Sequence, residues 1–202
     1  MKILVTGSTG FVGKYLIAQL LTTTNHTLLL PVRTKKNLSG RERFEREFLS
    51  VSLFGTERLQ HALRTRVTVI EGDVASLRLK DLEGVDCVIH NAANVSFFDS
   101  MTNLKRDNVD SMTHICDLVQ QTPSITRFIF ISTCYVHTKD GSTGGKATLL
   151  PPDLPESKFI NPYAYSKYLA EQELVAKLHR IEPEIIRLSI VGAPLGYFAA
   201  HP

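Results

Sequence analysis

The chain has 202 residues, 43% of them apolar and 21% charged, with a formal net charge of +3. That length holds one sizeable core, and so small a charge excludes the electrostatic footprint of a nucleic-acid or membrane-surface binder. Three cysteines, odd in number and without a CxxC spacing, fit a reducing compartment and speak against a disulfide scaffold or a zinc site. No apolar run reaches the roughly 18 residues of a membrane span. The N-terminus enters a strand at once, which leaves no room for a signal peptide, so a cytoplasmic location is expected. In chain order, Ile3–Thr6, Thr27–Leu30, Val67–Glu71, Val85–His90, Phe128–Ser132 and Glu184–Arg187 read as short apolar strands. Helical patterns cover Phe11–Thr23, Arg41–Ser50, Leu104–Gln121 and Tyr163–Arg180. Strands without strict polar alternation, separated by helices, predict an α/β fold: one doubly wound parallel sheet with helices on both faces. Pro31 has no N–H to give a central ladder, so the second strand is expected to end there. Asp140–Pro155, rich in Gly and Pro, reads as a long, mobile loop.

The first strand runs into "TGSTGFVG", Thr6 to Gly13, with Gly7, Gly10 and Gly13 three apart. At a strand-to-helix turn, such glycines permit a tight turn, close approach of a diphosphate and close packing of helix on strand. The helix start adds N–H groups and a favourable dipole for an anion. Val12, Leu16 and Leu20 share one face of that helix. Twenty residues past Gly13 stands Arg33, where NAD-preferring folds usually carry an acid; an arginine there can meet a 2′-phosphate. Lys35, Lys36, Arg41 and Arg43 add positive charge nearby. The later members alternate with Glu42, Glu45 and Glu47 and read equally well as a solvated helix face.

Further along, Asn108 interrupts an apolar stripe between Leu104 and Met112, either as a support for a site or as an ordinary satisfied core amide. The fifth strand ends at Ser132 and Thr133, at the carboxyl edge where open α/β sheets bind ligands; local backbone capping is the plainer role for such hydroxyls. Asn161-Pro162 reads as an N-cap with proline in the first helical position. Tyr163 and Lys167 then lie at i and i+4 on one face. An ammonium near a phenol lowers its pKa and makes it a usable acid.

Together "TGSTGFVG", "EGDV", "VIHNAA", "DNVDSM", "ISTCYV", "YAYSK" and "IIRLSIVG" resemble the extended short-chain dehydrogenase/reductases, which have a Rossmann fold. "VRTKKNLSGRERFER", "HNAANVSFFD" and "IIRLSIVGAP" are similar to the branch of fatty acyl-CoA reductases and carrier-protein thioester reductases. The resemblance implies NADP(H) as cofactor. The loop Thr6, Gly7, Ser8, Thr9, Gly10, Phe11, Val12 and Gly13 would hold the pyrophosphate, Arg33 the 2′-phosphate, and Asp73 and Val74 would flank adenine. Asn91, Ala92, Ala93 and Ser189 would line the path to the nicotinamide. Thr133, Tyr163 and Lys167, with Asn108 beneath them, would be the catalytic set, Thr133 being preferred because the family's catalytic hydroxyl is the second of the pair.

The implied activity is NADPH-dependent reduction of an acyl thioester, either small (acyl-CoA) or carrier-protein-bound. Reduction or epimerisation of another carbinol or a nucleotide sugar stays open, as does a non-catalytic NADP-binding sensor. Two departures stand out. Leu188 occupies a position where the branch often has proline, and family members continue a hundred or more residues past "VGAP" into a substrate lobe. Residues 1–202 are therefore expected to form the cofactor-binding domain, with an open sheet edge that favours self-association.

Overall fold

The structure is a computed structural model and describes residues 1–49, 55–141 and 149–192. Six parallel strands form one sheet: β1 (Lys2–Thr6), β2 (Thr27–Val32), β3 (Val67–Glu71), β4 (Cys87–His90), β5 (Arg127–Thr133) and β6 (Glu184–Leu188). Their order across the sheet is β3-β2-β1-β4-β5-β6. This is the doubly wound arrangement, with its switch point between the carboxyl ends of β1 and β4.

Alternate strand residues face two separate cores. Leu4, Leu29, Val88, Phe128 and Phe130 lie on one face, against the helices that follow β4 and β5. Ile3, Val5, Leu28, Leu30 and Ile89 lie on the other, with Ile17, Leu21, Phe44, Phe48 and Leu63. Helix α1 (Phe11–Thr23) buries Gly13, Ile17 and Leu21. The stripe expected through Val12, Leu16 and Leu20 is therefore displaced by one residue, because Gly13 presses directly on the loop before it.

β2 does not stop at Pro31. It continues to Val32, with Pro31 opposite Ile70 of β3. The ladder to β1 ends at Leu29, so beyond that point β1 makes no demand on the N–H that proline lacks. β4 begins at Cys87, since Val85 is still tied back to Leu82 O.

The helix expected over Arg41–Ser50 is a short α2 (Gly40–Phe44) followed by a π-helical turn, Glu45–Leu49; Ser50 lies outside the described residues. The sequence reading missed α3 (Glu57–Thr65), capped by Thr56 Oγ1. A helix predicted from Leu104 starts at α4 (Met101–Leu104), capped by Ser100. It passes through a π-helical turn at Lys105–Asp110 and continues as α5 (Ser111–Gln120). The last helix, α6 (Pro162–Lys177), has the expected Asn161 cap and Pro162 start. It ends before Arg180, whose guanidinium instead binds the carbonyls of Val119, Thr122 and Ile125.

The centre of the Asp140–Pro155 loop, residues 142–148, lies outside the described residues, as does the "AP" of "VGAP". Among the described residues β6 is an edge strand, and Ile186, Ile190 and Val191 are exposed. No helix among them is long and apolar enough to cross a membrane.

Candidate active site

At the switch point, Thr6 closes β1 fully buried. Its Oγ1 accepts from Asn91 N at 3.1 Å and Ala92 N at 3.0 Å. With its lone pairs so occupied, its hydroxyl donates to His90 Nδ1, 3.0 Å away, which leaves the ring proton on Nε2. Burial, and next the charge of Lys167, push His90 down to about 3, so it is neutral. The loop that follows is folded onto β4: Asn91 Nδ2 donates to Gly7 O at 3.1 Å.

Two of the three glycines are required by packing. Gly7 has φ +67°, and a Cβ there would stand 2.7 Å from Ala92 Cα. A Cβ on Gly13 would overlap Gly7 O. Gly10 differs, because its nearest neighbour would be Gly7 O at 3.2 Å and its other side is open. Gly10 is also the N-cap of α1, with no side-chain cap and no acid in the first turn. Beside it, Ser8 Oγ is buried without a hydrogen-bond partner. An uncapped helix start next to an orphaned hydroxyl fits an anionic ligand such as a pyrophosphate.

Arg33 follows β2, exposed, and among the described residues its guanidinium has no ion-pair partner. Arg43, one of the residues left ambiguous by the sequence, is the neighbour that completes this corner. Its Nη1 donates to Arg33 O at 2.6 Å and its Nη2 to Thr9 Oγ1 at 3.0 Å. The short α2 that carries it is fixed by a Ser39–Glu42 capping box. Glu71 adds to this by accepting from Gly40 N at 2.6 Å and Arg41 N at 2.8 Å. Burial, and then the Arg33 charge, lower the Arg43 pKa against the opposing Glu47. The like charges of Arg33 and Arg43 in this corner fit an anionic ligand.

At the end of β3, Asp73 is exposed and accepts from Ser76 N at 3.2 Å, capping the turn Val74–Ser76. Val74 is buried in the core rather than turned to a ligand. Only its backbone, at the strand end, is open to a ligand. Ala92 and Ala93 are half-buried beyond β4, Phe11 and Ser189 are exposed, and Val12 is half-buried.

Across the switch point, β5 and α6 bring together the other group. Thr133 and Tyr163 are both buried, at the end of β5 and the start of α6; Thr133 Oγ1 accepts from Tyr135 N at 3.2 Å. Ser132, by contrast, is turned away and donates to Glu171 Oε1 at 2.6 Å. Lys167 is buried beneath, donating to Ile131 O at 2.9 Å, with Nζ 4.0 Å from the Phe130 ring centroid.

The electrostatics depart from the sequence expectation. Burial raises the Tyr163 pKa, the nearby Thr133 hydroxyl only partly offsetting it. Lys167 does not act to lower it. Burial instead pushes Lys167 itself down to about 7, with Glu171 opposing. The side chain is held toward the Ile131 carbonyl and not toward the phenol.

Asn108, in the π-helical turn, is a bridge. Its Oδ1 accepts from Asn94 N at 2.7 Å, and its Nδ2 donates to Asn94 O at 3.0 Å and Ser166 Oγ at 2.8 Å. It ties the loop after β4 to α6, and does not touch Lys167 in any hydrogen bond. That loop also lays Phe97 against Tyr163, ring centroids 5.6 Å apart. Phe97, Ser166 and Glu171 were not singled out from sequence, and Arg43 was named only within a run of mixed charge. Only Glu171 carried a signal, since it continues the Tyr163–Lys167 spacing by another four residues.

The Xenopus laevis fatty acyl-CoA reductase 1 is 28% identical over 226 residues, 95% of this chain and 43% of that protein. The chain thus spans less than half the length of that relative. The terminal R domain of the myxalamid biosynthetic pathway superimposes with TM-score 0.72 at 28% identity, covering 93% of this chain and 49% of the other. A Bacillus cereus UDP-glucuronic acid 4-epimerase in complex with NAD follows at TM-score 0.67 and 25% identity, covering 96% and 58%. The NAD-binding family described as Male sterility protein matches residues 5–201, and the chain belongs to it.

Proposed function

We propose that the protein is an NADPH-dependent reductase of acyl thioesters. The observation that carries the reading is the gathering of buried Thr133, Tyr163 and Lys167 at the end of β5 and the first turns of α6, on the sheet edge shared with the glycine loop. In this reading Ser8, Gly10 and the start of α1 hold the pyrophosphate, while Arg33 and Arg43 grip the 2′-phosphate. Asp73 and the Val74 backbone border adenine, and Asn91, Ala92, Ala93 and Ser189 border the nicotinamide. NADPH, when bound, supplies the hydride for the carbonyl carbon.

The protein's own groups manage the oxygen. Thr133 donates a hydrogen bond to it and Tyr163 gives it a proton. A raised phenol pKa keeps Tyr163 protonated until the oxygen needs the proton. Lys167 binds the nicotinamide ribose, and it would have to turn from the Ile131 carbonyl to support the phenolate left behind. Asn108 holds the Asn94 loop, and with it Phe97, over the site. The hemithioacetal so formed expels its thiol to leave an aldehyde. The thioester class, on CoA or on a carrier protein, is supported by the names of the reductase relatives.

Nucleotide-sugar epimerisation is the second reading, favoured by the epimerase neighbour. The Arg33–Arg43 corner weighs against it, since that neighbour was solved with NAD, which has no 2′-phosphate. The test is NADPH absorbance with the full-length protein on adding a long-chain acyl-CoA. Stoichiometric NADPH loss with release of free CoA thiol is expected. Interconversion of UDP-sugars with no NADPH loss would overturn the thioester reading.

A further inference from the structure

The stripe of α6 that carries Tyr163 and Lys167 bears a third polar side chain. Glu171 stands one turn beyond Lys167 and is fully buried. Its Oε1 accepts from Ser132 Oγ at 2.6 Å and Arg187 Nε at 3.0 Å, and its Oε2 accepts from Arg187 Nη2 at 2.6 Å. Ser132 and Arg187 stand opposite each other in the β5–β6 register. The last two strands thus grip one carboxylate, while the adjacent residue Ile131 takes the Lys167 ammonium on its carbonyl. A clamp between helix and sheet is made as well by apolar side chains, so the charge calls for another use.

The ionisable groups that interact with Lys167 are His90 of β4, Glu171 one turn along α6 and, through Glu171, Arg187 of β6. His90 is neutral, and Glu171 is the one acid in that set. We propose that Glu171, fixed by Ser132 and Arg187, is a positioning residue that keeps Lys167 an ammonium beneath Tyr163. The proposal rests on the reading of Lys167 as the partner of tyrosine and cofactor. Burial works against that ammonium, bringing Lys167 to about 7, and Glu171 is the group that opposes it.

The test is a pH titration of the cofactor-free chain with isotopically labelled lysine side chains, followed by NMR. The Lys167 signal is identified by its loss in Lys167→Met. Glu171→Gln should lower the Lys167 midpoint by about one pH unit or more, because the carboxylate is gone and the Arg187 charge remains. Arg187→Gln should raise it, because the carboxylate keeps hydrogen bonds but loses its counter-charge. A merely structural clamp would let water reach Lys167 in both variants and raise both midpoints. The double variant Glu171→Gln, Arg187→Gln leaves no lone charge and should fall between wild type and Glu171→Gln. It decides the matter if either single variant fails to fold. An unchanged or raised midpoint in Glu171→Gln, or a wild-type midpoint in the double variant, would overturn the proposal. A full-length protein that oxidises no NADPH with thioesters would sink the functional reading and leave these titrations standing.

Discussion

On the α6 side of the site Lys167, Glu171 and Ser132 are buried and each is held by a partner within the protein. On the α1–α2 side Arg33 is exposed, Ser8 Oγ has no partner and α1 starts without a side-chain cap. In the proposed function the difference follows from what each side would have to do. Groups that move a proton must be held in geometry before the substrate arrives, because reorganisation during reaction costs rate. Groups that bind a polyanion must keep donors and charge unspent, because a satisfied donor has little left to give.

The comparison breaks most sharply at Tyr163. Tyr163→Phe in the full-length protein should lower turnover by about 10²–10⁴-fold and leave NADPH affinity within about twofold. Steady-state rates paired with calorimetric titration check both halves of that statement, and comparable losses in both would merge the two sides into one.

On the open side, Arg43→Ala should weaken NADPH by about 10–100-fold and leave NADH nearly unchanged, as expected for one lost charge-assisted contact of about 1.5–3 kcal/mol. Arg33→Ala should act in the same direction. Equal losses for both cofactors would mean that Arg43 only braces Thr9 and the Arg33 backbone.

Gly13→Ala tests whether the loop is set by packing. Its Cβ would overlap Gly7 O, so destabilisation of about 1–3 kcal/mol is expected in chemical denaturation. Gly10→Ala should be milder in stability, because Gly10 faces open space, and should show mainly in cofactor affinity.

The smallest effect belongs to Glu184→Gln, at the amino end of β6 and away from both sides. The Arg127–Glu184 pair is half-exposed on both partners, so the cost should be below about 1 kcal/mol. A larger loss would show that the β5–β6 edge is less secure than its buried Glu171–Arg187 clamp implies.

Much of this was legible in the sequence, for identifiable reasons. Apolar strand runs and the glycine turn are local signals, so all six strands, apart from a residue or two at their ends, and the placement of Gly7, Gly10 and Gly13 could be read directly. Tyr163 and Lys167 were visible because Asn161-Pro162 fixes the helix start and so the face. Pro31 misled because its tolerance depends on where the neighbouring ladder ends, which is a property of register. Arg43 was hidden in a run of mixed charge, and only α2's attachment to Glu71 turns it toward Thr9. Between Ser132 and Thr133 the choice needed Glu171, whose buried partner Arg187 comes from a different strand. Val74 came from the family resemblance alone, and the structure buries its side chain in the core and leaves its backbone at the strand end.

The central claim is that the open half is an NADPH pocket, with Arg33 and Arg43 reading the 2′-phosphate beside a ready catalytic pair. Calorimetric titration of the chain with NADPH and NADH under the same conditions tests it most directly. The account predicts NADPH binding at least about tenfold tighter than NADH; equal affinities, or no binding of either, would contradict it.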